Sequence, residues 1–295
     1  MKDKGINVLS LFDGISCGRL ALERAGIPVN RYCSSEINSK AIQVADNNWP
    51  QDSENRFGDV NDWQGWDIDF SEIDLVLAGS PCQSISHLGD RSGMQGKSGV
   101  FFVFLDILHE VQSKSPSVKF LLENVRGSKE AVDAITDSLG VAPEFINSRW
   151  FCAQNRPRLY WTNIDFDTHN YPDNQDTLQD ILEDGFPEKS KLTPGRERWL
   201  KSESGQRCFA NQYIALDPVK AKCLTKRSDA SWNSNYVTRQ GEITRLIPVE
   251  YERLQTLPEG YTEGVAMSHR YSLIGDGWTV DVVAHILRGL DKELP

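Results

Sequence analysis

Leu9-Ser10-Leu11-Phe12-Asp13-Gly14-Ile15-Ser16-Cys17-Gly18 changes its periodicity part-way along. The apolar run Ile6 to Phe12 suits a buried strand, and a glycine-bearing turn follows it. A helical pattern then runs from Cys17 to Ala25 and is closed by Gly26. A strand that turns sharply into a helix presents backbone N–H groups at the helix start, the layout with which open α/β sheets hold a ligand. Only Gly14 and Gly18 are present, so the stretch departs from the Gly-x-Gly-x-x-Gly dinucleotide fingerprint.

The alternation continues outward from this turn. Arg31 to Ser35 reads as a second strand and Ser39 to Asn47 as a second helix, ended before Pro50. Leu75 to Ala78 is another strand, Val100 to Val111 a strongly apolar helix and Lys119 to Leu122 the strand after it. Strands that alternate with helices predict a parallel sheet covered on both faces, an α/β fold. Two stretches break the rhythm. Gln83 to Gly99 is glycine-rich and polar and predicts a long mobile loop, a length at which loops are usually functional. From about Asp165 to Asn235, Pro172, Pro187, Pro194 and Gly205 interrupt any period, which predicts a smaller, irregular domain.

Composition narrows the function classes. The chain has 295 residues, with 39% hydrophobic and 25% charged, as in a soluble globular protein. No apolar stretch approaches a membrane span, and Met1-Lys2-Asp3-Lys4-Gly5 leads into a strand without a signal peptide's hydrophobic region. The expectation is an intracellular protein with no membrane partner. The six cysteines (Cys17, Cys33, Cys82, Cys152, Cys208, Cys223) include no Cys-x-x-Cys pair, so thiols are expected and no metal site. Net charge is −10, yet Lys189 to Arg245 holds twelve Lys and Arg against five Asp and Glu, a local +7. Trp199, Phe209, Tyr213, Trp232 and Tyr236 lie in the same segment. The mixture suits either a nucleic-acid face or a solvated surface over core aromatics.

Several side chains fall at predicted strand ends. Ile73-Asp74-Leu75-Val76-Leu77-Ala78 runs into Gly79-Ser80-Pro81, where proline ends the ladder, so Cys82 is expected at the carboxyl edge of the sheet. A lone buried cysteine is more often plain core filler. Glu36 ends the second strand at a spacing from the first turn that suits a ribose-binding acid, and Asp59 in Gly58-Asp59-Val60 could accept from an adenine amine. Each could equally be a surface carboxylate. Leu121-Leu122-Glu123-Asn124-Val125 puts Glu123 at the end of an apolar strand, where desolvation raises a carboxyl's pKa toward neutrality. An ordinary cap of the following helix is the alternative. A thiol beside a proton-donating carboxyl suits attack on an electron-poor ring. Arg156 and Arg158, two apart on a predicted strand, are expected on one face, binding a carbonyl oxygen or phosphates.

Taken together, the chain resembles the DNA cytosine carbon-5 methyltransferases over nearly its whole length. Phe12-Asp13-Gly14 looks like the S-adenosylmethionine loop, Glu36 like the ribose acid and Gly58-Asp59-Val60 like the adenine-side motif. Pro81-Cys82-Gln83 resembles the nucleophile motif, Glu123-Asn124-Val125 the catalytic-acid motif and Gln154-x-Arg156-x-Arg158 the basic motif. Arg245-Leu246-Ile247-Pro248-Val249-Glu250, with Arg253-Leu254-Gln255, looks like the segment closing the recognition domain. Tyr271 to Val280 looks like the last motif. Trp278 in that motif, and Ser10 to Ile15, resemble the de novo class, whereas Leu224-Thr225 and Arg253-Leu254-Gln255 resemble bacterial and phage members.

The resemblance implies a Rossmann-like S-adenosylmethionine-dependent methyltransferase fold. Its catalytic domain would span residues 1–164 plus 265–295, and a smaller irregular target-recognition domain residues 165–264. It implies methyl transfer from S-adenosyl-L-methionine, with S-adenosyl-L-homocysteine as product, to carbon 5 of a cytosine flipped out of double-stranded DNA. Cys82, Glu123, Arg156 and Arg158 would be catalytic. Phe12, Asp13, Gly14, Ile15, Ser16, Glu36, Ile37, Asp59, Val60, Pro81, Val100, Asp276, Gly277 and Trp278 would bind the cofactor. A bacterial or phage-encoded restriction-modification or DNA-modification enzyme of the cytoplasm is expected, with a nuclear enzyme as the alternative and either a monomer or a homodimer. RNA methylation, a non-catalytic DNA-binding relative and a nicotinamide-dependent dehydrogenase fit less of the pattern. The first lacks its Cys-Phe-Thr tripeptide here, the second has no use for an intact Cys82, Glu123 and Arg158, and the third leaves the cysteine and both arginines idle.

Overall fold

The computed structural model describes residues 5–79, 99–185, 187–230 and 232–292. They form two compact units. The described residues up to Ile146, with Pro157–Asn170 and those from Asp281 onward, make the first; Asn147–Arg156 and Tyr171–Val280 make the second. Among the described residues no helix is long and apolar enough to cross a membrane.

The first unit runs β1 (Ile6–Leu11), α1 (Cys17–Ala25), β2 (Val29–Ser35), α2 (Ser39–Asn48), β3 (Arg56–Phe57), β4 (Leu75–Gly79), α3 (Gly99–Lys114), β5 (Lys119–Asn124), α4 (Lys129–Leu139) and β6 (Glu144–Asn147). After β7 (Gln154–Asn155), which belongs to the second unit, comes β8 (Pro157–Thr162). Its strands form one sheet in the order β3-β2-β1-β4-β5-β8-β6. From β3 to β5 every pairing is parallel, as the alternation predicts. β8 runs antiparallel to β5, so the parallel expectation stops there. The physical reason is the connection: the chain reaches β8 from β6 without a long crossover helix, and a short link returns a strand instead of carrying it across.

Burial explains the rest. Leu75, Val76, Leu77 and Ala78 of β4 are fully buried, the pattern of a central parallel strand covered on both faces. On α3, Phe101, Phe104, Leu105, Leu108 and Val111 recur at helical spacing and bury one stripe against Val76, Phe120 and Trp161. Emptying a position such as Leu77 to alanine would cost about 2–5 kcal/mol. α4 buries Ala131 and Ile135 in the same core, with Val132 and Leu139 partly buried beside them.

The second unit contains α5 (Pro194–Lys201), α6 (Glu203–Ala210), β9 (Ala215–Leu216), β10 (Ala221–Lys222), β11 (Asn235–Arg239), β12 (Glu242–Arg245), α7 (Pro248–Leu254) and α8 (Met267–Asp276). Its sheets are small, β12-β11-β9 and β10-β7. One of its apolar clusters centres on only Leu200, Ile214 and Tyr236. Buried polar pairs hold much of the remainder. Arg239 Nη2 meets both Glu250 oxygens at 2.7 and 2.8 Å, and the Glu252 carboxylate accepts from Gly260 N, Thr262 N and Arg270. α9 (Val280–Leu287) then returns the chain to the first unit with Val282, Val283, Ala284, Ile286 and Leu287 fully buried.

Candidate active site

Parallel pairing brings the strand ends of the first unit to one edge. Leu11 pairs with Ser35 and with Ala78, Ser35 pairs with Phe57, and Gly79 pairs with Glu123. The turn after β1, Glu36 after β2, Asp59 after β3 and Glu123 on β5 therefore share the carboxyl edge. The order 3-2-1-4-5 reverses there between β1 and β4, the position at which open α/β sheets bind ligands. Pro81, Cys82 and the loop of residues 83–98 lie outside the described residues.

The turn between β1 and α1 is strained. Phe12 and Ser16 sit at φ 57° and 60°, left-handed values that non-glycine residues rarely adopt, and Gly14 lies between them at φ 58°. The Asp13 side chain holds this conformation from beneath. Its Oδ1 accepts from Ser10 Oγ and Tyr32 OH, both at 2.6 Å, and its Oδ2 from Ser16 Oγ at 2.5 Å, with Arg56 Nη1 3.6 Å away. The carboxylate is almost fully buried, and burial pushes its pKa up while the three hydroxyls and Arg56 pull it down. Burial also drives the Tyr32 hydroxyl well above the usual tyrosine range, reinforced by the Asp13 charge. The sequence reading sets Asp13 against the cofactor, but these partners occupy the carboxylate within the fold. Tyr32 and Arg56 escaped that reading. Tyr32 lies in a run buried on both faces from Tyr32 to Ser35, so no alternation marks it, and nothing in the pattern marks Arg56.

Glu36 is half-buried and ties the two strand ends together. Its Oε2 accepts from Gly14 N at 2.9 Å, and its Oε1 from Ile37 N and Asn38 N at 2.9 and 2.7 Å. Beside it Ile37 is 73% exposed, an apolar surface next to a carboxylate. Asp59 is exposed and accepts from Asn61 N and Nδ2, whereas Val60 is buried in the core and Val100 packs on it from α3. Ile15 and Ser16 are buried under the turn.

Glu123 is 8% exposed, and Arg158 Nε lies 2.9 Å from its Oε1. A guanidinium thus balances the charge that burial disfavours. Arg156 does not share this face. The backbone breaks between β7 and β8 at this residue, and its side chain, 4% exposed, donates from Nη1 to Leu224 O at 2.6 Å and from Nη2 to Gly277 O at 2.8 Å. The expectation of two arginines side by side on one strand is corrected accordingly, and Arg156 is spent on backbone carbonyls.

In the second unit the remaining motif segments meet in one buried network. Gln154 Nε2 donates to Leu254 O and Gln255 Oε1, and its Oε1 accepts from Leu224 N. Gln255 Nε2 donates to Ile274 O and Gly277 O, and Thr279 Oγ1 donates to Gln255 Oε1. Gly275 is required by this closeness: a Cβ there would lie 2.2 Å from Thr225 O. Asp276 is half-exposed and pairs with Lys226 at 3.3 Å. Trp278 is half-buried.

The comparisons with known proteins agree in kind. A family model described as C-5 cytosine-specific DNA methylase matches residues 6–292. The Type II methyltransferase M.NgoBV of Neisseria gonorrhoeae is 31% identical over 257 residues, covering 77% of this chain but 56% of that relative, so the chain spans about half of its length. The Type II methyltransferase M.NlaX of Neisseria lactamica is 26% identical, with 97% of this chain and 96% of that relative covered. In fold the chain is similar to the S. pombe Dnmt2 methyltransferase, with a TM-score of 0.75 at 18% identity over 98% of this chain and 99% of that one. The motif order, the parallel-rich sheet and the family match over almost every residue lead to one assignment: the chain belongs to the C-5 cytosine-specific DNA methylase family.

Proposed function

We propose that the chain is a DNA cytosine-5 methyltransferase that acts through a covalent adduct on Cys82. The observation that carries this reading is the pairing of Gly79 with Glu123, with Arg158 on the Glu123 carboxylate. The strand leading toward Cys82 thereby ends beside an acid and a guanidinium. A cytosine stacked in a duplex offers its carbon 6 to no thiol, so the base is rotated out at a cost of a few kcal/mol. The Cys82 thiolate adds to carbon 6 while Glu123 hydrogen-bonds ring nitrogen 3 and gives it a proton. Arg158 keeps Glu123 in place and holds the base carbonyl. Carbon 5, made nucleophilic, takes up the methyl group. Loss of the carbon 5 proton then expels the Cys82 thiolate, and nitrogen 3 returns its proton to the Glu123 carboxylate, which restores the ring and the enzyme.

The residues present fit S-adenosylmethionine, which when bound supplies the electrophilic methyl group. Glu36 has three of its roughly four acceptor positions used by amides and retains capacity for a ribose hydroxyl. The exposed Ile37 suits the face of a purine, and Asp59 is placed at the neighbouring strand end to accept from an exocyclic amine. The strained turn offers its backbone and the Phe12 ring, while Asp13 keeps it rigid. Radiolabelled methyl transfer to duplex DNA tests the reading. Wild-type protein is expected to label cytosine and Cys82→Ala to label none while still binding DNA. Labelling by Cys82→Ala at the wild-type rate would overturn it.

A further inference from the structure

The second unit contains a cavity of about 520 Å³ lined by Lys191, Thr193, Gly195, Arg196, Trp199 and Arg245. That volume lies in the range of small-molecule sites, larger than an isolated anion requires. None of these residues belongs to the Gln154–Gln255 network. Three of the six are cations; Lys191 is paired with Glu188 at the surface, which leaves the two guanidinium groups of Arg196 and Arg245 as the basic lining without a carboxylate among the lining residues. The backbone bridge between Lys191 and Thr244 sets Lys191 beside the end of β12, where Arg245 follows. Arg196 donates from Nη2 to Asp229 O at 2.6 Å. Arg245 is less well served: Nη2 reaches Lys189 O only at 3.5 Å, and Nε is buried with no acceptor. A guanidinium with unspent donors is matched geometrically by a phosphate. Trp199 packs on the Leu200, Ile214 and Tyr236 cluster and also lines the cavity, presenting an aromatic surface beside the cations.

We propose that this cavity binds one nucleotide unit of the DNA, with its phosphate on Arg245, Arg196 and Lys191 and its sugar or an unstacked base against Trp199. The proposal rests on the methyltransferase reading and names part of the surface with which that enzyme holds its substrate. It also accounts for the local +7 of Lys189 to Arg245.

Fluorescence anisotropy of a labelled duplex across a salt series, with the full chain, tests it. Lys191→Gln, at an exposed position where it also removes the surface pair with Glu188, and Arg245→Gln should each weaken binding to every sequence and reduce the slope of log affinity against log salt by about 0.9. Trp199→Leu should weaken binding about tenfold or more with the slope unchanged, because stacking releases no counterion. Arg198→Gln, exposed on the same helix but outside the lining, should change neither. Wild-type affinity and slope in Lys191→Gln, Arg245→Gln and Trp199→Leu, in a protein that binds and methylates DNA, would overturn the cavity's role alone. A wild-type protein that neither binds duplex nor transfers methyl would overturn the methyltransferase reading and this proposal with it. Deoxyguanosine monophosphate provides the other arm. Weak competition with the duplex that is lost in Arg245→Gln supports a DNA nucleotide, whereas tight binding without displacement of duplex would overturn it in favour of a free nucleotide.

Discussion

The carboxyl edge of the large sheet and the amide network of the second unit are both built from motif residues, yet they spend those residues differently. At the edge, Glu36 and Glu123 are carboxylates at strand ends, the first half-buried on backbone amides and the second buried against the Arg158 guanidinium. In the network, Gln154, Arg156 and Gln255 are buried and turned onto backbone carbonyls and one another. Asp13 follows the second pattern although it sits at the edge. The difference separates motif carboxylates at the sheet edge from motif side chains that are turned onto the fold's own backbone. Substitutions should separate the two groups by what they damage.

The largest contrast is expected between Glu123→Gln and Arg156→Met. Glu123→Gln should lower kcat about 10²- to 10⁴-fold, the range for a general acid, at temperatures where it is fully folded, although it also takes the carboxylate from the buried Arg158 and lowers Tm. Arg156→Met removes the donor from the buried carbonyls of Leu224 and Gly277, each worth about 1–3 kcal/mol when left unsatisfied. Against a total stability of about 5–15 kcal/mol, its Tm should fall by many degrees. The molecules that remain folded should keep their turnover. Calorimetry and single-turnover rates measured together check both, and an Arg156→Met protein with normal Tm but no turnover would erase the distinction.

A smaller effect is expected at the Asp13 cluster. Tyr32→Phe deletes a hydroxyl donor to a buried carboxylate and should lower stability by about 1.5–3 kcal/mol near neutral pH. Its pH dependence carries the sign. The Tyr32 pKa is raised well above its unfolded value of 10, so above pH 10 the folded protein keeps a proton that the unfolded chain loses. Stability therefore falls as pH rises through that range, and Tyr32→Phe should flatten the fall. Parallel alkaline denaturation of the two proteins would assign the loss elsewhere. The smallest effect is expected from Lys226→Gln. Its pair with Asp276 is largely solvent-exposed and should contribute no more than about 1 kcal/mol to urea unfolding.

Much of the carboxyl edge of the large sheet was legible because periodicity and register carry it. The break from strand to helix at Gly14, the helix stop at Gly26 and the carboxylates ending β2 and β5 all follow from spacing, and pairing Gly79 with Glu123 needed only adjacent parallel strands. What escaped was direction. Spacing two apart implied that Arg156 and Arg158 share a face, but the strand is interrupted between them, and only the carbonyls of Leu224 and Gly277 explain where Arg156 goes. Asp13 reads as a loop acid in one dimension because Tyr32 and Arg56, its partners on β2 and β3, are distant in sequence. The antiparallel β8 was hidden for a similar reason, since its orientation depends on how the chain enters it.

Covalent trapping tests the central claim most directly. Duplex DNA carrying 5-fluorocytosine at the target, incubated with the full chain and S-adenosylmethionine, offers a ring whose carbon 5 substituent cannot leave as a proton, so the thiol bond to carbon 6 should persist after methyl transfer. The expected result is a denaturant-resistant protein–DNA species whose cross-linked peptide contains Cys82, and which is absent with Cys82→Ala. Methylation of ordinary duplex DNA without any such species, or a cross-link mapped to another residue, would contradict the account.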